Sequence, residues 1–288
     1  MQKPPSAPAE SRVCIQRTRA THAMLREKFE EDLTAGEHVA IPEPDQLRAA
    51  PVESKSSSSA RRAETHCQFR EGGGDGTAWD RRFMQQAQDS RAVNDEWYIS
   101  YQDSPELQEF LGSVLNKDAL ICQVGCGNSR MAPALFQDGY RFLVNVDISR
   151  VAIGQMQRRY RGTHDEMIFL PGDATSLPWP SEIVDIFIDK GTLQSLLLLC
   201  DGVARVAQFA REMWRLLCPG GKMVQIMAGK GMQSYLNLPD LPWTIRHKVC
   251  YRSLQCVRRR KDLGPRFGCV KPIAFVPPPL MHMLAACL

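Results

Sequence analysis

The chain has 288 residues, of which 43% are hydrophobic, enough for one domain of roughly 200 residues with an appendage or for two small domains. A fully disordered protein is therefore excluded. The 36 basic and 32 acidic side chains leave a net charge of only +4, so overall charge gives no argument for binding nucleic acid or an anionic membrane. No apolar run approaches the roughly 18 residues of a membrane span, and the N-terminus lacks the apolar core of a signal peptide, so we expect a cytoplasmic protein.

The first 76 residues differ in composition from the rest of the chain. Proline, serine and charged residues dominate them, with a serine run at 56–59, which predicts a mostly disordered N-terminal extension. A stretch around Cys14 to Leu33 contains enough helix formers for a helix, but its apolar positions are too sparse to bury a broad stripe. We therefore expect the folded domain at 77–288. After about residue 252 the sequence predicts only one further strand.

From Ala119 onward, short apolar runs alternate with amphipathic segments, a pattern typical of parallel strands joined by crossover helices. The predicted strands are Leu120–Val124, Phe142–Val146, Met167–Leu170, Ile183–Ile188 and Lys222–Met227. The predicted helices are Met131–Gln137, Val151–Tyr160, Leu193–Cys200 and Val203–Leu217. Right-handed crossovers of this kind build a mostly parallel, twisted sheet with helices on both faces, which is a Rossmann-like α/β fold.

A glycine loop follows the first predicted strand directly. Gly125 permits a tight turn, and Gly127 lets a ligand lie against the backbone at the start of the next helix. Alone this pattern is weak, because ordinary strand-to-helix turns share it. Asp147 closes the second strand about 20 residues beyond Gly127, where nucleotide-binding sheets place an acid on the ribose hydroxyls. Its alternative role is to cap the helix that follows.

These features alone allow a nicotinamide dinucleotide or another adenosine-containing cofactor. Arg130 stands where a dinucleotide fingerprint needs its third glycine, which argues against the dinucleotide. Asp173 and Ala174 follow the third strand, and Asp189 and Lys190 follow the fourth, so all four are expected at the carboxyl ends of strands. An acid at Asp173 suits the exocyclic amine of an adenine, with Ala174 against the base.

The order of these parts resembles the class I S-adenosylmethionine-dependent methyltransferases, in the branch that contains the elongation factor 1-alpha lysine methyltransferases. The segments that carry the resemblance are Glu96-Trp97-Tyr98, Val124–Ser129, Asn145–Ser149, Gly172–Thr175 and Ile188–Leu193. It covers about Ala78 to Val249, and the Asp-Lys-Gly-Thr-Leu string at 189–193 is its most specific part. The resemblance implies S-adenosyl-L-methionine as cofactor and a protein substrate, with elongation factor 1-alpha as the candidate partner and one of its lysines as the methyl acceptor.

The resemblance also implies cofactor-binding roles for nine residues. They are Trp79, Phe83, Trp97, Gly125, Asp147, Ile148, Asp173, Ala174 and Lys190. Aromatic residues ahead of the glycine loop help to hold the cofactor in this branch, and Phe83 stands where relatives carry tyrosine. The three aromatic side chains could instead cap the hydrophobic core of the sheet. Lys190 could instead donate to loop carbonyls or extend to solvent.

Asp189 is the candidate catalytic residue. Methyl transfer to a neutral amine requires alignment, desolvation and a deprotonated amine, but no enzyme nucleophile. At the mouth of the fourth strand, Asp189 is the group best placed to orient the amine or to accept its proton; its alternative role is to bond the amides of the adjacent loop. The six histidines show no metal-ligand spacing, so no metal is predicted.

Two departures from the family pattern bear on the substrate. Gln194 and Ser195 follow the Asp-Lys-Gly-Thr-Leu string where relatives typically carry Asp-Ala, which removes one partner for a cationic lysine. The late antiparallel strands are predicted at Trp243–Tyr251 and Val270–Phe275, but the basic run Arg258–Lys261 does not continue the family pattern and is interpreted as a solvated loop, so no specific nucleic acid is predicted. A small-molecule methyltransferase and a non-catalytic binding module with the same fold stay open as alternatives.

Overall fold

The computed structural model describes residues 9–34, 74, 76–88, 96–227, 235–236, 238–248 and 253–258. The predicted strand at Val270–Phe275 and the serine run at 56–59 lie outside the described residues.

Seven strands form one sheet. They are β1 Ile121–Val124, β2 Leu143–Asp147, β3 Ile168–Pro171, β4 Val184–Lys190, β5 Leu217–Ile226, β6 Trp243–Lys248 and β7 Ser253–Arg258. Their order across the sheet is β3-β2-β1-β4-β5-β7-β6. The first five strands are parallel, and β7 pairs antiparallel with both β5 and β6. The predicted Rossmann-like α/β fold is therefore confirmed.

Helices cover both faces of the sheet. They are α1 Ala9–Thr34, α2 Thr77–Gln88, α3 Pro105–Val114, α4 Met131–Gln137, α5 Arg150–Tyr160, α6 Thr192–Leu197 and α7 Gly202–Leu216. Side chains alternate across each strand, so Ile121 joins the core beneath α3, α4 and α5, whereas Val124 joins the core beneath α7. None of the helices in the described part of the chain combines the length and apolar character needed to cross a membrane.

Most predicted elements agree with the structure to within three residues at each end, and two differences are larger. β5 begins at Leu217 rather than at Lys222, so the Pro-Gly-Gly turn lies within the strand. The late strand predicted from Trp243 forms as β6, but its partner is β7, at Ser253–Arg258, a segment that the sequence pattern did not identify.

The strand order creates the crevice in which ligands bind in this kind of sheet. Connections leave β1 toward β2 on one side and β4 toward β5 on the other, which makes the β1–β4 pair the topological switch point. Val124 is in register with Val146 on β2 and with Asp189 on β4. The loops that follow these three strands therefore leave the sheet at one edge.

Helix α1 is where the structure differs most from the sequence prediction. Residues 9–34 form a 26-residue helix within the segment expected to be mostly disordered. Among its described side chains, four are buried: Thr18, Thr21, His22 and Leu25. Their i, i+3, i+4 and i+7 spacing places them on one face. The helix formers around Cys14 to Leu33 indicate a helix here, but a stripe that contains two threonines and a histidine gives no apolar signal for its burial.

Asp185 joins α1 to the amino ends of two strands. Its carboxylate accepts hydrogen bonds from Thr18 Oγ1 at 3.2 Å and from the Leu120 amide at 2.9 Å, and it forms an ion pair with Arg17. The His22 ring also meets Phe142, just ahead of β2, edge-on at 5.6 Å. Helix α1 therefore crosses the end of the sheet opposite the crevice.

Candidate active site

A pocket opens at the carboxyl ends of the parallel strands. Its empty space is about 910 Å³, including the open mouth. All nine residues that the sequence predicts to hold a cofactor line it: Trp79, Phe83, Trp97, Gly125, Asp147, Ile148, Asp173, Ala174 and Lys190. The fold thus brings together residues from four strand ends, from α2 and from the 96–98 segment. The wall also contains residues without a predicted role, among them Gly74, Ser195, Leu196, Leu199 and Arg205.

The glycine loop after β1 is shaped by residues that leave no space for side chains. Gly125 has a φ of +59°, and a Cβ there would lie 1.8 Å from Thr192 Oγ1, which donates a hydrogen bond to the Val124 carbonyl. Gly127 has a φ of +51°, and its Cβ would lie 3.1 Å from Phe83 Cζ. The left-handed backbone favours glycine at both positions, and the absence of side chains lets Thr192 and Phe83 pack against the loop, whose two glycines line the pocket.

Asp147 is held by backbone amides on both sides of its carboxylate. Oδ2 accepts from Gly127 N at 2.7 Å, and Oδ1 accepts from Ser149 N at 2.8 Å. Burial raises the pKa of Asp147 to about 6, against the opposing effect of these two hydrogen bonds. Since each carboxylate oxygen can accept a second hydrogen bond, the geometry fits a pair of ribose hydroxyls. The cap of α5 is Ser149, whose hydroxyl accepts from Ala152 N, so Asp147 does not have the capping role that the sequence allowed.

Asp80, which sequence analysis did not single out, fixes α2 beside the pocket. Its Oδ1 accepts from Ser149 Oγ at 2.6 Å and from Val151 N at 3.2 Å, at the start of α5. Gln155 Nε2 donates to the Phe83 carbonyl at 3.1 Å. These contacts join residues about 70 positions apart, and no local pattern in the sequence indicates them.

The three aromatic residues form one wall of the pocket. The Trp79 ring lies 5.9 Å from that of Trp97 and 6.3 Å from that of Phe83, measured between centroids. Arg82 stacks over Trp97 at 5.0 Å. Phe83 also packs against Val151 in a small apolar cluster. The pocket role and the core-capping role that the sequence allowed are therefore compatible for Phe83.

Asp173 lies beside a cation that the sequence did not indicate. Its Oδ1 accepts from the amide and hydroxyl of Thr175 at 2.8 and 2.7 Å, which fixes the carboxylate. Its Oδ2 lies 3.5 Å from Nη1 of Arg205, a residue on α7 that also lines the pocket. A contact between Asp173 and an adenine amine stays a prediction.

Lys190 lines the pocket, but its ammonium is engaged by protein groups. Nζ lies 2.6 Å from Glu96 Oε1 and donates to the Trp97 carbonyl at 3.2 Å. The backbone-carbonyl role that the sequence left open is thus present, and a direct contact with a cofactor stays a prediction.

Asp189 lies behind the pocket rather than on its wall. It is 1% exposed, and its carboxylate accepts from Thr192 N at 2.8 Å, Leu193 N at 3.2 Å and Gln225 Nε2 at 3.2 Å. Burial raises its pKa to about 6, against the effect of these hydrogen bonds. This placement favours the loop-bonding role over contact with a substrate amine.

Comparisons with known proteins point in the same direction as the pocket. A family model described as "Methyltransferase domain" matches residues 122–225. Mouse EEF1A lysine methyltransferase 4 is 30% identical over 179 residues, covering 59% of this chain and 68% of that protein. Mouse eEF1A lysine and N-terminal methyltransferase is 33% identical over 150 residues, covering 51% of this chain but 20% of that protein. Its Drosophila melanogaster homologue is 29% identical over 164 residues, covering 56% and 24%. The chain therefore matches only about a fifth to a quarter of the length of the latter two relatives.

Proposed function

The chain belongs to the class I S-adenosylmethionine-dependent methyltransferases, in the branch of the eEF1A lysine methyltransferases, and we propose that it methylates a lysine of a protein, with elongation factor 1-alpha as the candidate substrate. One observation carries this proposal: all nine predicted cofactor contacts meet in one pocket, in a chain 30% identical to EEF1A lysine methyltransferase 4. We also propose a cytoplasmic location, which rests on this candidate partner.

The residues of the pocket fit the cofactor. S-adenosylmethionine, when bound, supplies a methyl group on a positively charged sulfonium. Asp147 would bind the ribose hydroxyls, and Asp173 with Ala174 would contact the adenine, because the carboxylates are acceptors for hydroxyl and amine protons. The wall of Trp79 and Trp97 offers aromatic faces to a cation, an attraction of roughly 0.5–2 kcal/mol. Gly125 and Gly127 line the pocket, so their backbone would lie against the ligand.

The chain's own contribution to the transfer is alignment and the exclusion of water. A lysine accepts a methyl group only as the neutral amine, and an apolar environment lowers the pKa of an ammonium group. Leu196 and Leu199 give the pocket wall such a character. We assign Asp189 a positioning role, in which its carboxylate holds the Thr192 and Leu193 amides and so fixes the loop after β4.

A labelled-methyl transfer assay tests the proposal. The protein is incubated with methyl-labelled S-adenosylmethionine and either purified elongation factor 1-alpha, a whole-cell lysate or a metabolite extract, and the modified residue is mapped by mass spectrometry. We expect the label on a protein lysine, with Gly125→Ala as the inactive control. Label on an oxygen, on a non-lysine nitrogen or on a small metabolite would contradict the lysine assignment. Absence of cofactor affinity in titration calorimetry would indicate a non-catalytic module.

A further inference from the structure

Glu96 lies behind the pocket wall and contacts two of its neighbouring loops. Oε1 is 2.6 Å from Lys190 Nζ, at the end of β4, and accepts from Ser129 Oγ at 2.6 Å. Oε2 accepts from Arg130 N at 2.9 Å, directly before α4. One carboxylate therefore connects the loop after β1 to the end of β4, and Glu96 itself is not among the residues that line the pocket.

The Glu96–Lys190 ion pair is shielded from solvent. The Lys190 side chain is 3% exposed and that of Glu96 is 13% exposed. A buried ammonium is costly without a partner, and removal of one member of such a pair leaves the other charge uncompensated. The position of Lys190 therefore depends on the charge of Glu96.

The pair is also connected to the residues that follow Glu96. Lys190 donates to the Trp97 carbonyl, so the same ammonium that binds Glu96 holds the backbone of a pocket aromatic. Tyr98 follows with a φ of +63°, an unfavourable backbone conformation for a bulky residue, and its ring lies over Gly191, where a Cβ would be 2.9 Å from Tyr98 Cε2. Such a conformation persists only where surrounding contacts impose it. The Ile99 amide donates to the Trp97 carbonyl across Tyr98 at 2.7 Å, and Lys190 donates to the same oxygen.

We propose that Glu96 is a positioning residue for the cofactor: by fixing the Lys190 ammonium, it holds Trp97 against the pocket. The inference rests on the cofactor site of the proposed function and not on the lysine acceptor. A binding measurement therefore tests it separately from the methyl-transfer assay.

The experiment measures the dissociation constant for S-adenosylmethionine by titration calorimetry, at a temperature well below the melting temperature of each variant. Glu96→Gln keeps the size of the side chain and removes its charge, and we expect it to raise the dissociation constant at least about tenfold. Glu109→Gln is the matched control, because Glu109 is exposed on α3; its dissociation constant should equal that of the wild type.

A double-mutant cycle shows whether Glu96 acts through Lys190. In a Lys190→Met background, Glu96→Gln should change the dissociation constant by less than about threefold, because the charge that Glu96 positions is already gone. The double variant leaves no unpaired charge, so it is expected to fold even where Glu96→Gln alone does not. Wild-type affinity in Glu96→Gln, or in the double variant, would overturn the proposal. A loss of affinity from Glu96→Gln that is undiminished in the Lys190→Met background would overturn it as well.

Discussion

The Asp147 carboxylate accepts a hydrogen bond of 2.7 Å from the Gly127 amide, across the ends of two neighbouring strands. The two residues belong to separate motifs in the sequence, and their contact makes them a single unit. A change that moves the glycine loop therefore also moves the group expected to bind the ribose.

Substitution of Gly125 tests the packing of the glycine loop. In Gly125→Ala, the new Cβ would meet Thr192 Oγ1 at 1.8 Å in a left-handed backbone, so we expect cofactor binding to be lost and stability to fall by about 1–3 kcal/mol. Gly112→Ala is the control, because Gly112 lies in α3 with open space around its Cβ. It should raise stability by about 0.5–1 kcal/mol and leave binding unchanged. Chemical denaturation and titration calorimetry measure both; equal effects of the two substitutions would contradict the packing argument.

Acidification should weaken cofactor binding through Asp147. Its pKa is raised to about 6 by burial, and a protonated carboxyl accepts fewer hydroxyl protons. We expect the dissociation constant to be about fivefold to tenfold higher at pH 5 than at pH 7, and nearly independent of pH in Asp147→Asn. Titration calorimetry between pH 5 and 7 measures the dissociation constant. If Asp147→Asn kept the pH dependence of the wild type, a group other than Asp147 would be responsible for it.

The stability of the cofactor-free protein should change with pH in the opposite direction. Asp147 and Asp189 both have folded-state pKa values of about 6, above the ordinary value of 3.8. The folded protein therefore binds protons more tightly than the unfolded chain between these values, and the stability gained from protonation is lost as pH rises through about 6. Acidification from pH 7 to 5 should therefore raise the free energy of unfolding by about 1 kcal/mol for each of the two buried carboxylates. Chemical denaturation of the wild type, Asp147→Asn and Asp189→Asn at several pH values measures how much each residue contributes. If both variants showed the same change of unfolding free energy with pH as the wild type, the assignment would be wrong.

The parts of this site that can be predicted from the sequence are those with a local pattern. The apolar strand before Gly125 and the acid at the end of β2 are short-range signals, since strand periodicity places both at the carboxyl edge of the sheet. The contact of Asp80 with Ser149 and that of Thr18 with Asp185 span 69 and 167 positions. Nothing in the local composition indicates such contacts, because hydrogen bonding between distant polar residues depends on the assembled fold.

The buried face of α1 indicates that this helix stabilises the fold, although the composition of the segment predicts mostly disorder. Leu25→Ala removes a side chain that is 1% exposed in the core, and we expect a cost of about 2–4 kcal/mol, or a melting temperature lower by about 5–10 °C. Met24→Ala, at the neighbouring 40% exposed position, should change the melting temperature by less than about 2 °C. Deletion of residues 1–59 should be at least as destabilising as Leu25→Ala. A deletion variant that melts at the wild-type temperature would show that α1 contributes nothing to the fold.

The substrate assignment is tested at Gln194, where relatives typically carry aspartate. If the acceptor is a lysine, Gln194→Asp should leave transfer intact and lower the KM for the protein substrate by up to about fivefold, an effect that salt weakens. The transfer rate should rise with pH in both proteins as the amine loses its proton. Steady-state kinetics at two salt concentrations measure this. An abolished transfer, or a rate independent of pH, would contradict a lysine acceptor.

The position of α1 also determines how the protein can be attached to a surface or a probe. The helix crosses the amino ends of the strands, and Gln16, Arg19 and Ala23 on its outer side are exposed. The pocket opens at the carboxyl ends, on the far side of the sheet. A fluorophore or a bead linked through a cysteine introduced at one of these three positions would leave the pocket mouth facing the solution, where a macromolecular partner can approach it.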